Sequence, residues 1–419
     1  MPRASRILTV VFFALLAFLA VTSAAQAPDF PVYHRAARVL LSGEFRLYPD
    51  EVYAGHPVPS QGFRYAPIIS VLFLPFGLLP VVWASVLFFA TQVAAVWWMG
   101  RTVARRLAVP AWQVTSFIGA FLLTAGYLVE DLRFGNAHIL CIALMVWAWD
   151  DAEEGKTVRP ALTLSLAVLM KLTPLALLGW FALRGRVRLC VATVAATVLL
   201  LVAPAAIVGP SANARELRAF RTYALEKADE NDNYSVRGAL VRYLTPSGVD
   251  QSHLAVAVAD VPMPVVEGLS LALIALLALP AAFVVRRGRQ DAVAGALGLS
   301  LVLVGMLLAS PHTQRRYYIA LFVPAVVLST LMRAASQRER RLALWGLAAI
   351  VLPGTVLPLV FGGRRLALMY EATSPYLVGA LVLYGVLLAL AWRREPEPQR
   401  TPGFPLRDGG PEGPHYTRS

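Results

Sequence analysis

The 419-residue chain is 58% hydrophobic and only 15% charged, and it has a formal net charge of +13. This leaves too little polar surface for a water-soluble protein, and the apolar residues come in runs of membrane length. The basic residues stand in short clusters between those runs, where they orient membrane helices, and not in one nucleic-acid-binding patch. The composition therefore predicts an all-α polytopic membrane protein, and we expect no nucleic-acid partner.

The first apolar run, residues 7–25, follows two arginines and ends in Ala25-Gln26-Ala27, a small-x-small sequence of the kind that signal peptidase cleaves. A cleaved signal peptide and an uncleaved first span both fit this pattern. We favour an uncleaved span with a cytoplasmic N-terminus because many further apolar runs follow. Either interpretation places Asp29 outside the cytoplasm.

The polar stretch 26–65 forms the first predicted external loop. A helical pattern begins at position 30, with Phe30, Tyr33 and Ala37 on one face, and such a segment can lie flat on a bilayer. Asp29 then has two interpretations. It can cap this helix, since Asp is a favoured N-cap residue, or it can act as a general base that takes a proton from an acceptor hydroxyl.

Apolar runs predict about twelve membrane helices. Their approximate bounds are residues 7–25, 67–79, 81–100, 112–129, 134–149, 161–183, 190–208, 264–285, 292–309, 317–332, 342–360 and 376–392. This count puts the arginine clusters after residues 183, 285, 332 and 392 on the cytoplasmic side, as the positive-inside rule requires. It makes residues 211–262 a second long external loop, with a helix up to about Lys227.

One arginine cluster disagrees with this count. Arg101, Arg105 and Arg106 would be external, and the run 67–79 is only about 20 Å long, which is short for a crossing. Merging residues 67–100 into one span would correct these arginines but would move the four later clusters outside. We therefore keep twelve spans and predict from Pro75 and Pro80 that this hairpin is kinked and packed inside the bundle.

Residues 1–392 are predicted to form one membrane domain. The tail 393–419 is rich in proline, glycine and charge, and we expect it to be disordered and cytoplasmic.

Lys171 stands near the middle of the apolar run 161–183, about 15 Å from either end. A lysine side chain reaches only about 6 Å, so it cannot easily extend to water from there. Pro174 opens the helix locally. A charge at this depth faces a polar cavity or an anionic partner. That partner is either a lipid phosphate or substrate, or a structural acid elsewhere in the bundle.

Two polar segments interrupt apolar runs further along the chain. His312 and the pair Arg315 and Arg316 follow Ser310-Pro311, and they can bind a phosphate or anchor the chain at the membrane interface. The segment 133–138, which contains Asn136, is interpreted first as a tight interhelical turn.

Taken together, these segments resemble glycosyltransferase family 87, a family of C-type membrane enzymes that use polyprenyl-phosphate sugars and include alpha-mannosyltransferases. The resemblance lies in Asp29-Phe30-Pro31-Val32-Tyr33-His34, Phe63-Arg64-Tyr65-Ala66-Pro67, Gly135-Asn136, Lys171-Leu172-Thr173-Pro174, Asn233-Tyr234-Ser235 with Arg242, and Ser310-Pro311. It departs from the family pattern at Gln314 and Arg316, where a Trp and a His are common, and at Tyr234, which replaces a Gln.

The resemblance implies a C-type glycosyltransferase fold with short interfacial helices in the two external loops. It also implies transfer of a hexose, with mannose expected, from a polyprenyl-phosphate donor to a lipid or glycan acceptor of the cell envelope. The active site would be on the extracytoplasmic face of the plasma membrane, with both termini cytoplasmic. The rival interpretation is a lipid-linked-sugar flippase or secondary transporter, although no internal repeat is evident between the two halves.

By resemblance, Asp29 is the base of a single inverting displacement, and no metal or cofactor is expected. The residues expected at the donor phosphate are Lys171, His312, Arg315 and Arg316. Those expected at the rest of the substrate are Tyr33, Arg64, Tyr65, Asn136 and Asn233.

Overall fold

A computed structural model of the chain describes residues 3–24, 27–53, 62–109, 113–225, 233–246, 256–287, 291–334, 336–360 and 364–393. Within these ranges all regular secondary structure is helical. The predicted disordered tail lies outside the described residues, apart from Arg393.

In the described part of the first half, the chain forms thirteen short and long α-helices and one 3₁₀ helix. These are α1 (Arg3–Ala24), α2 (Phe30–Leu41), α3 (Asp50–Tyr53), the 3₁₀ helix Pro67–Phe73, α4 (Leu74–Gly77), α5 (Val81–Arg106), α6 (Val114–Leu123), α7 (Ala125–Phe134), α8 (His138–Glu153), α9 (Val158–Met170), α10 (Leu175–Leu183), α11 (Val187–Val202), α12 (Ala205–Val208) and α13 (Pro210–Leu225).

The second half continues in the same way. Its helices are α14 (Val236–Leu244), α15 (Met263–Arg287), α16 (Ala292–Ala309), the 3₁₀ helix Arg315–Leu321, α17 (Phe322–Ala334), α18 (Gln337–Val351), the π-helical turn Leu352–Val356, α19 (Leu357–Val360), α20 (Arg364–Ala372) and α21 (Pro375–Trp392).

Seven helical segments in the described part of the chain are long and apolar enough to cross a membrane, or eight if the bent pair α6 and α7 is one span. The chain is therefore a multi-pass membrane protein. The bend between α6 and α7 is 88°. At this bend the chain packs so closely that a Cβ on Gly126 would lie 1.7 Å from the carbonyl oxygen of Gly354.

Helix α2 confirms the predicted helix after Asp29, but its apolar face packs on protein and not on lipid. Phe30 and Ala37 have no exposed surface, and the Phe30 ring stacks on Phe88 of α5 with a centroid distance of 4.9 Å. The neighbours of α2 are α4, α5 and the 3₁₀ helix Pro67–Phe73. Asp29 is thus attached to a rigid part of the bundle.

The run 67–79 does not cross the bundle, and the twelve-span count is wrong at this point. The 3₁₀ helix Pro67–Phe73 and α4 lie along α2, and His34 Nε2 is 2.9 Å from the Leu79 carbonyl oxygen. Helix α5 therefore starts at the end of the bundle that holds Asp29, the Asp29 end. It carries Arg105 and Arg106 to the opposite end, so the disagreement of that arginine cluster disappears.

Residues 158–183 form a hairpin and not one span, which is a second correction. Helix α9 stops at Met170, and Lys171 is extended with φ −155° and ψ 139° before Pro174 starts the next helix. Arg184 Nη1 lies 2.5 Å from Glu153 Oε1, so α8 and α10 both finish at the opposite end. A crossing between these two residues would have placed them on opposite sides.

The two corrections cancel for the rest of the chain. Helix α16 begins near Glu153, because a Cβ on Gly295 would lie 3.6 Å from the Glu153 carboxyl carbon. The later arginine clusters therefore stay at the end opposite Asp29. Lys171, at the tip of the α9–α10 hairpin, is carried towards the Asp29 end, where the Ala66 amide donates to the Leu169 carbonyl at 3.1 Å.

Candidate active site

Asp29 holds the N-cap position of α2, but its side chain makes no capping hydrogen bond. Instead, Asn136 Nδ2 donates to Asp29 Oδ2 at 2.6 Å, and Arg316 Nη1 lies 3.5 Å from the same oxygen. The Asp29 side chain remains 23% exposed. The Asp29 side chain is therefore not a helix cap in this structure. Its carboxylate instead contacts Asn136 and Arg316.

The turn between α7 and α8 places Asn136 against Asp29. Gly135 has a left-handed backbone with φ +64°, and a Cβ there would lie 2.9 Å from the Cβ of Phe30. Glycine is thus required both by the conformation and by the close packing. Gln92 Nε2 donates to the Asn136 carbonyl at 2.7 Å and holds the turn on α5. The segment is therefore an interhelical turn and a site element together.

Arg315 and Arg316 were predicted to act as a pair, but the 3₁₀ helix that they begin turns them in different directions. Arg315 Nε lies 2.9 Å from Glu130 Oε2. Arg316 faces Asp29, and its guanidinium stacks 4.4 Å from the ring centroid of Phe134. The structure brings Arg316 to Asp29 and leaves Arg315 in an ion pair with Glu130.

Lys171 lines a small cavity between α8, α16 and the 3₁₀ helix Arg315–Leu321. The lining residues are His138, Cys141, Ile142, Lys171, Thr173, Met306, Leu307, Ser310, Thr313 and Tyr317. Lys171 Nζ lies 3.0 Å from the ring centroid of Tyr317, a cation–π contact. None of the ion pairs within the described ranges includes Lys171, which favours an external anion over a structural acid as its partner.

Asp29 is not among the lining residues of this cavity, but two short chain segments join the two. Arg316, which faces Asp29, directly precedes Tyr317, over which Lys171 lies. Asn136, which donates to Asp29, comes two residues before His138 in the cavity wall. The predicted base and the predicted phosphate ligand thus lie at the same end of the bundle on adjacent structural elements.

Asn233 was predicted to contact substrate, and the structure uses its amide inside the protein. Its Nδ2 donates to the Pro311 carbonyl at 2.8 Å, and its Oδ1 accepts from the backbone amides of Thr313 and Ser235. The side chain is buried. Asn233 therefore holds the loop after Ser310 in place for the residues that line the cavity.

The predicted tyrosines lie next to Asp29 and pair with each other. Tyr33 and Tyr65 are buried, with hydroxyl oxygens 3.1 Å apart and stacked rings. Burial and the neighbouring charge of Asp29 raise the pKa of Tyr33, so its hydroxyl keeps its proton.

His312 and Arg64 differ in what they can offer a phosphate. Burial lowers the pKa of His312 to about 3, and the positive charges of Lys171, Arg64 and Arg316 contribute to this shift. His312 is therefore neutral at physiological pH and brings no charge to an anion. Arg64 is exposed, and its guanidinium offers several N–H donors to a phosphate.

The sequence analysis missed His138, which lines this cavity, and its buried partner Asp131, which lies behind it. Asp131 is fully buried, and its Oδ1 lies 2.8 Å from His138 Nδ1. The signal was present, because ionisable residues between apolar runs usually mark a functional site in a membrane protein. In the described part of the chain, no three His, Cys, Asp or Glu side chains are grouped so as to hold a metal ion.

Comparison with known proteins decides the class of protein to which this cavity belongs. Residues 63–311 match the sequence model of glycosyltransferase family 87. This chain is a member of glycosyltransferase family 87. The expected family is thereby confirmed, and the protein is a membrane glycosyltransferase.

One curated relative is the polyprenol-phosphate-mannose-dependent alpha-(1-2)-phosphatidylinositol mannoside mannosyltransferase of Mycolicibacterium smegmatis. It is 28% identical over 235 residues, which are 51% of this chain and 52% of the relative, so the match spans about half the length of each. The apo crystal structure of ArnT from Cupriavidus metallidurans aligns with a TM-score of 0.43 and 16% identity, over 93% of this chain and 78% of that one.

Proposed function

We propose that this family 87 glycosyltransferase moves mannose from a polyprenyl-phosphate donor to a lipid or glycan acceptor, with Asp29 as the general base. The donor class rests on the name of the mycobacterial relative. The observation that carries the proposal is that Asn136 and Arg316 hold the Asp29 carboxylate. These two residues lie within two positions of His138 and Tyr317, which line the Lys171 cavity.

In the proposed reaction, the acceptor hydroxyl loses its proton to Asp29 while its oxygen bonds to the anomeric carbon. The bond from that carbon to the phosphate oxygen breaks, and the polyprenyl phosphate leaves with the electron pair. A single displacement of this kind inverts the anomeric centre. Asn136 and Arg316 engage Oδ2 of Asp29, which leaves Oδ1 for the acceptor.

The leaving phosphate gains negative charge, and fixed cations stabilise that charge most effectively in a site of low dielectric constant. Lys171 in the cavity wall and Arg316 beside it supply two such cations. Arg315 has no part in this step, because it is paired with Glu130.

We place the Asp29 end outside the cell and both termini in the cytoplasm. The arginines at the ends of α5 and α10 gather at the opposite end, which the positive-inside rule makes cytoplasmic. With the two corrections above, the proposed count becomes ten crossings and one hairpin. The crossings are α1, α5, α6 with α7, α8, α11 with α12, α15, α16, α17 with its 3₁₀ helix, α18 with α19, and α21.

The test is transfer from polyprenyl-phosphate mannose to a panel of lipid and glycan acceptors by purified protein. We expect wild type to turn over and Asp29→Asn to lose about 100- to 10,000-fold in kcat, the usual range for a removed general base. Asp50→Asn is the matched control, because it makes the same chemical change in the same loop at an 80% exposed side chain. Its turnover should equal that of wild type.

Equal turnover by Asp29→Asn and wild type would refute the base assignment. Movement of the lipid-linked sugar across vesicle membranes without any transfer product would favour the flippase alternative.

A further inference from the structure

The cavity that contains Lys171 has a second polar group in its wall. His138 is the first residue of α8 and lines the cavity beside Lys171 and Tyr317. Its ring centroid lies 4.0 Å from that of Tyr317, the same ring that Lys171 contacts. The imidazole and the ammonium group thus meet at one aromatic side chain.

Asp131 holds this imidazole in one orientation. Its Oδ1 is bonded to His138 Nδ1, so Nε2 is the ring nitrogen that remains for a ligand. The two residues lie on either side of the Gly135-Asn136 turn, which also positions Asn136 at Asp29. The same turn therefore sets the geometry of both Asp29 and His138.

The pair presents a hydrogen-bond donor to the cavity. Asp131 is fully buried, and its Oδ2 has no hydrogen-bond partner among the described residues, so an uncompensated negative charge there would be costly. The pair is neutral overall when it holds two protons. One is then shared between Asp131 Oδ1 and His138 Nδ1, and the other is on His138 Nε2, whichever of the two atoms holds the shared proton.

We propose that the Asp131–His138 pair is a second phosphate-binding element of the site, with His138 Nε2–H donating to the donor phosphate that Lys171 also contacts. Asp131 is a positioning residue that acts through His138. The inference rests on the proposed function insofar as it takes the ligand to be a polyprenyl phosphate. No proton leaves His138 in this role, so the balance of the transfer step is unchanged.

The experiment measures equilibrium binding of polyprenyl phosphate, the donor without its sugar, to purified protein in lipid nanodiscs. The variants are His138→Ala, His138→Gln, Asp131→Asn and the double change Asp131→Asn with His138→Ala. Transfer kinetics of the same samples give KM for donor and acceptor. His34→Gln is the matched control, because His34 is a partly buried histidine that bonds a backbone carbonyl outside the cavity.

We expect His138→Ala to weaken polyprenyl-phosphate binding about 10- to 100-fold, the range for a lost charge-assisted hydrogen bond. His138→Gln should weaken it less, since the Gln amide retains an N–H. Donor KM should follow binding while acceptor KM stays constant, a split that a merely structural role would not produce. Asp131→Asn should have no further effect in the His138→Ala background.

Wild-type affinity in both His138 variants, together with an active wild type, would overturn the inference. If His138→Ala does not fold, His138→Phe takes its place, because a phenyl ring keeps the ring shape without an N–H, and wild-type donor affinity in that variant overturns the inference. A wild-type protein that neither binds polyprenyl phosphate nor transfers sugar would instead reject the proposed function.

Discussion

The two ends of this bundle are both rich in charge, yet their charged groups are arranged in opposite ways. At the end opposite Asp29, buried or partly buried acids are matched by cations: Asp150 by Arg105 and Arg106, and Glu153 by Arg184. At the Asp29 end, several buried polar atoms have no hydrogen-bond partner within the described residues. Among them are Oδ2 of Asp131, Oδ1 of Asn136 and Nε of Arg316.

We interpret this difference as a separation between charges that stabilise the fold and charges that are available to a ligand. Buried polar groups in native proteins are almost always hydrogen-bonded, so a group of unmatched atoms beside a cavity points to a site that substrate completes. The ion pairs at the opposite end instead hold the ends of α5, α8, α9 and α10 against one another. Residue types alone do not separate these roles, since lysine, arginine and aspartate occur at both ends.

The sharpest way to test this comparison is a pair of lysine substitutions, one at each end. Lys171→Met removes a cation from the cavity, and we expect donor kcat/KM to fall about 100-fold, a loss of about 2.7 kcal/mol in transition-state binding. Lys156→Met removes a cation that is paired with Asp151 at the other end. Transfer assays on both variants check this prediction, and the donor kcat/KM of Lys156→Met should lie within about twofold of the wild-type value.

Equal losses in the two lysine variants would mean that the ends do not differ in function. A Lys171→Met protein with unchanged donor affinity would remove the phosphate role from the cavity.

The converse prediction concerns Arg184, whose side chain is only 6% exposed where it pairs with Glu153. Arg184→Met should lower the free energy of unfolding by about 2 kcal/mol, less than the usual loss for a broken buried pair because Arg186 still lies 4.0 Å from Glu153. Turnover per folded molecule should not change. Denaturation of the detergent-solubilised protein, followed beside the transfer assay, checks both. A loss of turnover at full stability would contradict the structural role.

The smallest expected effect is a pH dependence of thermal stability that arises from Asp151 at the end opposite Asp29. Arg159 and Lys156 both donate hydrogen bonds to the Asp151 carboxylate. These bonds stabilise the folded state only while the carboxylate is charged, and a carboxylate takes up a proton as the pH falls below about 4. Under those acidic conditions wild type should therefore lose more Tm than Asp151→Asn. Parallel Tm curves for the two proteins would argue that this ion pair adds nothing.

Local features were predictable where one short segment carries the information. The helix after Asp29, the break at Pro174 and the tight turn at Gly135 follow from backbone preferences of neighbouring residues, and the structure has all three. Asp29 and Lys171 were recognisable because charge beside or within apolar sequence is costly and needs a reason.

Other features depended on contacts between distant segments. Arg315 and Arg316 are neighbours with the same chemistry, and only the 3₁₀ turn and the position of Glu130 decide which one reaches Asp29. Asn233 matches a family motif, but its partners on Pro311 and Thr313 lie about 80 residues away. The Asp131–His138 pair was not predicted, because nothing in the six residues between them reveals that the chain reverses direction there.

The amino-acid sequence by itself determined that the chain is a bundle of membrane helices with an acid at one edge and a lysine within an apolar run. It did so because hydrophobicity and helical periodicity are properties of contiguous residues. Only the tertiary structure decided that residues 67–79 and 158–183 fold back without crossing. An apolar run satisfies lipid and protein neighbours equally well, so its composition does not reveal where it ends. Contacts between distant segments reveal it, such as that of His34 with Leu79 and that of Glu153 with Arg184.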